Sequence, residues 1–377
     1  MEKLKASNLK IKKINTKVCH ISTVHSLYDI RIFYKECISL AKAGFDVSLI
    51  INAEKEQILE GVKIIPLKPT KNRLQRILIK PFSALQKALK TKAKIYHFHD
   101  PELIPLGIFL RLLGKKVIFD SHENVSHQIE NKAWLGPLFL RKTVAFSYRL
   151  IEKIGIWSFN SVISVTPEIV QFLSPKKGVL ISNYPIISMI ENIKQSEKFE
   201  TPTIIYAGGL TKIRGIFEVC KAVSLVNLPI QLILYGAWET EAYKKECLEL
   251  DRYKIHYLGK IPLEEVYYNM KKAHIGVATF LPEKNHLNCL PNKIFEYMTC
   301  GIPIIVSDFP YWKNYYGNYA FFVDPNDPKK IKEAIELFFH NMNDYKKMGD
   351  IAYQEIKEKY SWESESKKLI QLYKELV

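Results

Sequence analysis

Short apolar runs alternate with amphipathic stretches along the whole chain. Val18–Ser22 reads as a strand, and helical spacing follows from Ile30 to Ala43, with Gly44 at the place of a C-cap glycine. Asp46–Ile51, Ile95–Phe98, Val117–Phe119, Val162–Val165 and Val179–Ile181 read as further strands, with a helix predicted over Glu102–Leu113. The polar segment Asn183–Glu200, with Pro185, breaks this rhythm and reads as a linker. Alternation then restarts. Thr203–Ala207, Ile230–Tyr235, Ile255–Leu258, Ile275–Ala278 and Ile302–Val306 are predicted strands, and the tail from Pro328 is helical with a break near Ser361. Two successive β-α-β series imply an α/β protein of two doubly wound, Rossmann-like domains. The expected boundaries are 1–185, a linker over 186–200, and 201–360.

The 377 residues suit two domains, and 47% hydrophobic with 25% charged residues is ordinary globular composition. No apolar run reaches the roughly 18 residues of a spanning helix. The basic start lacks the apolar core of a signal peptide, so the cytoplasm is the expected location. Six scattered cysteines without a C-x-x-C pair are expected to be buried thiols. The net charge of +16 is unevenly placed: residues 1–199 hold 32 Lys and Arg against 16 Asp and Glu, and residues 200–377 hold 23 of each. The two halves therefore face different partners.

Within Lys68–Lys94 stand nine basic residues and no acid, among them Arg73, Arg76, Lys80 and Lys87, interleaved with Leu74, Ile77, Leu78, Phe82, Leu85 and Leu89. Such a face suits an anionic membrane surface, or is a solvated basic face over an ordinary core. Trp134–Lys153 adds aromatic and basic residues. Nucleic acid would suit the charge, but no nucleic-acid-binding motif accompanies it, so none is expected as a partner.

Five segments carry candidate chemistry. In YAGGLTKIRGIFEV (206–219) a strand runs into Gly208 and Gly209, and Arg214 precedes a helix start. Backbone N–H groups, the helix terminus and a guanidinium together suit a phosphate, although a plain tight turn has the same spacing. In NHLNCLPNKIFEYMTCGIPIIVSD (285–308), Asn288, Leu290, Pro291, Asn292 and Lys293 lead into a helix over Asn292–Thr299. Glu296 on its second turn can accept two hydroxyl hydrogens, or be a solvated helix glutamate. YHFHDPE (96–102) and FDSHE (119–123) both follow strands, so His97, His99, Asp100, Asp120, His122 and Glu123 gather at one sheet edge. A metal site, a metal-free polar site and satisfied core histidines all fit that pattern. STVHSLYDIRIF (22–33) brings His25, Asp29 and Arg31 to a helix start, where Asp29 also suits a cap.

With these residues laid out, the chain resembles the retaining GT-B glycosyltransferases of family 4, which build bacterial capsule, O-antigen and exopolysaccharide. LPNKIFEYMTCGIPIIVSD is similar to the group's donor-site signature, and YAGGLTKIRG to its phosphate-binding turn. HDPELIPLG with FDSHE, and YDIRIFYKECISLAKAGFDVSLI, resemble N-terminal elements of one branch. The resemblance implies a GT-B fold with its two domains facing a central cleft, and a last helix (361–377) packed back on the first domain. It implies a nucleotide-sugar donor as substrate, UDP before GDP, with a hexose-type sugar and no cofactor or metal. Glu296 would hold the ribose, Arg214 the diphosphate, and His122 would sit by the donor sugar; His122 and Asp100 are the expected catalytic residues, in contact with acceptor or donor sugar. His25, Asp29, Arg31, His99 and Glu123 would lie on the acceptor side. The basic, amphipathic N-terminal half fits a lipid-linked saccharide acceptor at the inner membrane face, to which the protein is expected to bind peripherally. Two positions depart from the group: Asn288 replaces a usual glutamate, and Gly209 a frequent arginine. A metal-dependent hydrolase using His97, His99, Asp100 and His122, a non-catalytic GT-B partner subunit, and a sugar-nucleotide epimerase are the alternatives.

Overall fold

The computed structural model describes residues 14–70, 72–121, 129, 136–174, 176–194, 197–317 and 319–377, without the side chains of Arg73, Leu74, Glu168 and Asn285. His122, Glu123, Trp134 and Leu135 lie outside the described residues. The chain forms two compact units. The first runs to Asn183 and takes in Ser364–Val377, and the second is Tyr184–Glu363.

The first unit holds β1 (Lys17–Ser26), β2 (Asp46–Asn52), β3 (Gln57–Leu59), β4 (Val62–Leu67), β5 (Ile95–Phe98), β6 (Lys116–Ser121), β7 (Ser161–Ser164) and β8 (Gly178–Leu180), in the order β3-β4-β2-β1-β5-β6-β7-β8. Every pairing is parallel except β3 with β4. The second unit holds β9 (Thr203–Ala207), β10 (Gln231–Tyr235), β11 (Ile255–Tyr257), β12 (Ile275–Ala278), β13 (Ile304–Ser307) and β14 (Ala320–Val323), in the order β11-β10-β9-β12-β13-β14, all parallel. Helices cover both faces, so the central strands are buried throughout and read as unbroken apolar runs. The chain order reverses between β1 and β5 in one sheet and between β9 and β12 in the other. Ligands of open α/β sheets bind beyond the carboxyl ends of strands at such reversals.

Two elements depart from the sequence reading. Ile30–Cys37 is wound as a π-helix before Ile38–Lys42 continues as an α-helix. Its wider turn sets Arg31 and Glu36, five residues apart, side by side and inward, with Arg31 Nε 3.1 Å from Glu36 Oε1. Within the segment read as linker, Ile187–Glu191 is helical and buries Ile187 and Ile190. Ile190 belongs to the second unit's core. The last helix, Trp362–Leu376, sends Tyr373 into the first unit, where its hydroxyl lies 3.0 Å from His20 Nε2.

Candidate functional site

In the second unit, the carboxyl end of β9 runs directly into Gly208 and Gly209. A Cβ added at Gly208 would stand 2.6 Å from Lys293 Nζ and 3.3 Å from Arg214 Nη1, and one at Gly209 would stand 3.0 Å from the same Arg214 nitrogen. The absent side chains are the room into which the two cations converge. Lys293 Nζ sits 4.5 Å from the Tyr206 ring centroid, and the Arg214 guanidinium 5.6 Å from that of Phe280. Neither cation forms an ion pair among the described residues. Burial pushes the Lys293 ammonium down to about 8; Glu296 opposes that shift and Arg214 adds to it. Two neighbouring cations without an ion-pair partner, one held partly neutral by burial, form a receptor for an anionic group.

The helix over Asn292–Thr299 starts where the sequence placed it. Pro291 is its N-cap residue, and no side chain caps its first turn. Lys293 and Glu296, three residues apart, share one face. The buried Tyr267 hydroxyl donates to Glu296 Oε1 at 3.1 Å and so fixes the carboxylate's direction. Leu290 packs against the core, Asn292 is half-buried, and Asn288 is exposed just after the short Lys284–Leu287 helix. Sequence spacing identified Arg214, Lys293 and Glu296, but Tyr267, 29 residues before Glu296, carried no local signal.

In the first unit the predicted residues separate into two groups. Asp100 is buried and turned toward the end of β1. It accepts from Ser22 Oγ at 2.9 Å, Thr23 N at 2.6 Å, Thr23 Oγ1 at 3.2 Å and Val24 N at 3.3 Å. His25 Nδ1 lies 2.8 Å from Asp29 Oδ2, and its Nε2 lies 3.6 Å from Asp100 Oδ1. Burial opposes the imidazolium, but Asp29 and Asp100 outweigh it and raise the His25 pKa. Asp29 also caps the π-helix, accepting from Arg31 N and Ile32 N at 2.9 Å each. Burial disfavours its carboxylate, but the bond with His25 and the cap hydrogen bond hold its pKa down at about 2.

Arg31 is buried and forked onto Asp120, with Nε 2.8 Å from Oδ2 and Nη2 3.0 Å from Oδ1. A guanidinium spent on that fork and on Ile181 O at 3.1 Å positions the sheet edge rather than reaching a ligand. His97 and His99 gather with His20 and Glu36, two residues that sequence reading did not single out, and His99 Nδ1 lies 3.3 Å from Asp120 Oδ2.

Of the basic residues on Arg73–Leu78 and Lys80–Thr91, Arg76 Nε pairs with Glu102 Oε1 at 3.2 Å, and Lys87 is half-buried. Lys80, expected at the surface, is 5% exposed and donates to Thr23 O at 2.8 Å and to Asn52 Oδ1. It therefore leaves the membrane-facing set. The Arg73 side chain lies outside the described atoms.

Residues 189–355 match the family model described as Glycosyl transferases group 1. The second unit carries a glycosyl transferases group 1 domain. Over 288 residues, 71% of this chain and 70% of the relative, the sequence is 25% identical to an uncharacterized glycosyltransferase of Methanocaldococcus jannaschii. Among solved structures, the chain is similar to sucrose-phosphate synthase of Thermosynechococcus elongatus (TM-score 0.73, 15% identity, 96% of this chain and 99% of that one). It is also similar to a glycosyltransferase of Rickettsia africae (TM-score 0.71, 14% identity, 96% and 99%) and to HepE of Anabaena, solved with UDP and glucose (TM-score 0.69, 9% identity, 96% and 100%). At these identities the structures speak for the fold: two Rossmann-like units, as in GT-B glycosyltransferases.

Proposed function

We propose that the protein is a retaining, metal-independent family 4 glycosyltransferase that moves a hexose from a UDP-sugar to a polyprenyl-linked acceptor of a cell-surface polysaccharide. The observation that carries this reading is the meeting of Gly208, Gly209, Arg214 and Lys293 at the carboxyl end of β9, beside the strand-order reversal, with Glu296 one turn along. In this reading the diphosphate lies on the two cations and the ribose hydroxyls on Glu296. UDP is favoured because HepE is solved with it. As the sugar leaves, its anomeric carbon–oxygen bond to the diphosphate breaks and a bond to the acceptor oxygen forms on the same face. The acceptor's proton passes to the departing phosphate oxygen. Arg214 and Lys293 stabilise the negative charge that grows there, where preorganised charge is most effective. Asp100 and His25 brace the end of β1 on the acceptor side.

Calorimetry against UDP, GDP and ADP tests the donor assignment. The expected result is saturable, EDTA-insensitive UDP binding that Glu296→Ala weakens roughly tenfold or more, the loss of hydrogen bonds to a charged group. Well-folded protein that binds none of the three removes the transferase reading.

Membrane association rests on Leu138–Ser158. This helix leaves Phe139, Phe146 and Trp157 at 73, 70 and 80% exposed beside the exposed Lys142 and Lys153. Large contiguous apolar patches mark interaction surfaces. No helix among the described residues is long and apolar enough to cross a membrane. Replacing the three aromatics by serine is expected to lower partitioning onto anionic vesicles by roughly a hundredfold or more, since burying each is worth about 1.5–3 kcal/mol. Unchanged sedimentation with vesicles would exclude this face.

A further inference from the structure

The first unit contains a buried cluster that the proposed transfer chemistry does not use. His20 on β1, Glu36 on the π-helix, and His97 and His99 at β5 each offer a donor atom, and these atoms all lie within 4.8 Å of one another. His20 Nδ1 is 3.1 Å from His99 Nε2, and Glu36 Oε2 stands 3.8 Å from each of these nitrogens, while His97, whose Nδ1 meets the Tyr373 hydroxyl, offers its unpartnered Nε2. A tetrahedral ion with bonds of about 2.0–2.1 Å needs donors roughly 3.3–3.4 Å apart. Both Glu36 carboxylate oxygens and His97 Nε2 are buried without a hydrogen-bond partner. Arg31 Nε, 3.1 Å from Glu36 Oε1, supplies charge there but not hydrogen-bond geometry. Buried polar atoms left unpartnered are costly, and such groups call for an occupant.

The surroundings also suit an ion. Asp120 Oδ2 lies 3.3 Å from His99 Nδ1, and the Tyr373 hydroxyl lies 3.0 Å from His20 Nε2 and 2.8 Å from His97 Nδ1. Outer partners of this kind fix the orientation and tautomer of ligating imidazoles. We propose that His20, Glu36, His97 and His99 bind one zinc-type divalent ion that ties β1, the π-helix and β5 into a single centre. Three imidazoles and one carboxylate select zinc and its transition-metal neighbours over calcium and magnesium, which take oxygen donors. All four side chains are shut off from solvent, and four protein donors fill a tetrahedron. The centre is structural, therefore, and leaves no open position for a hydrolytic water. It is independent of the donor site in the second unit.

The test is metal analysis of the full-length protein, produced with zinc in the medium and purified through metal-free buffers. About one zinc per chain is expected. Substituting cobalt is expected to give the intense visible bands of a tetrahedral ion. Stripping the ion is expected to lower Tm by roughly 8–16 °C, the shift for an ion held at about a thousandfold over its Kd in a unit of this size, and zinc should restore it. Glu36→Gln and His99→Gln, each checked for native circular dichroism, are expected to carry less than about a tenth of the zinc. Wild-type protein that carries no zinc, and whose Tm moves with neither zinc nor cobalt, overturns the proposal without recourse to any variant. Full zinc content in a folded Glu36→Gln/His99→Gln protein overturns it as well, because the ion then lies elsewhere.

Discussion

Arg214→Ala is expected to weaken binding of a nucleoside diphosphate by roughly 10- to 150-fold, and Lys293→Met by a similar factor. A hydrogen bond to a charged group is worth about 1.5–3 kcal/mol, and each cation faces the space left by the glycine turn. Methionine keeps the length of Lys293 and its packing on the Tyr206 ring, so the variant removes charge rather than shape. The two substitutions should differ in their pH dependence. Lys293 titrates at about 8 in the free protein, because burial disfavours its charge. Below pH 8 the ammonium is present and the affinity is level. Above it the diphosphate must draw one proton onto Lys293, so Kd rises, approaching tenfold per pH unit. Calorimetry from pH 6.5 to 9.5 should therefore show a break in the wild-type and Arg214→Ala proteins. Lys293→Met should give a level line with weaker binding throughout. A wild-type affinity level to pH 9.5 would remove Lys293 from the diphosphate site.

The sequence pattern exposed this site for a physical reason. Parallel strands buried on both faces are compact apolar runs, so Thr203–Ala207 and Ile95–Phe98 are legible in full. Pro291 and Gly301 bracket the helix that carries Lys293 and Glu296, and breakers mark ends that periodicity alone leaves loose. Other features were not legible. Gln57–Leu59 is three residues long, Val62–Leu67 contains Pro66 and an exposed Lys63, and Ala320–Val323 lies at a sheet edge, so none carries the signal of a central strand. Apolar spacing does not separate eight residues of π-helix from α-helix, and that winding sets Glu36 inward. Lys80 reads as one more surface base, because its partners Thr23 and Asn52 are 57 and 28 residues away. The meeting of His20 with Tyr373 spans 353 residues and has no local trace at all.

Gly236→Ala is expected to cost the second unit about 2–5 kcal/mol, and to weaken diphosphate binding although residue 236 touches no ligand in the proposed site. Gly236 follows β10 with φ +136°, and a Cβ there would lie 1.8 Å from Gly208 O and 2.7 Å from Gly208 C. The obstacle is backbone, so no side chain can swing aside. The turn is held from both ends: Gly208 N donates to Tyr235 O at 2.9 Å, and Leu210 N to Ala237 O at 2.8 Å. Making room means pushing the Gly208 carbonyl away from β10, and with it the backbone against which Lys293 and Arg214 are placed. Overpacking costs about 1–3 kcal/mol, and a left-handed backbone at an L-residue adds about 1–2 kcal/mol. In a unit of this size that lowers Tm by roughly 4–20 °C. Gly259→Ala is the internal comparison. Gly259 has φ +81° but nothing within 4 Å of its added Cβ, so it should show the backbone cost alone, with diphosphate affinity unchanged. Thermal melts and calorimetry on the two variants separate the contributions. If Gly236→Ala melts with Gly259→Ala and binds like the wild type, close packing against β10 does not hold the turn in place. If it loses both stability and affinity, the packing beneath Gly208 sets the position of the two cations.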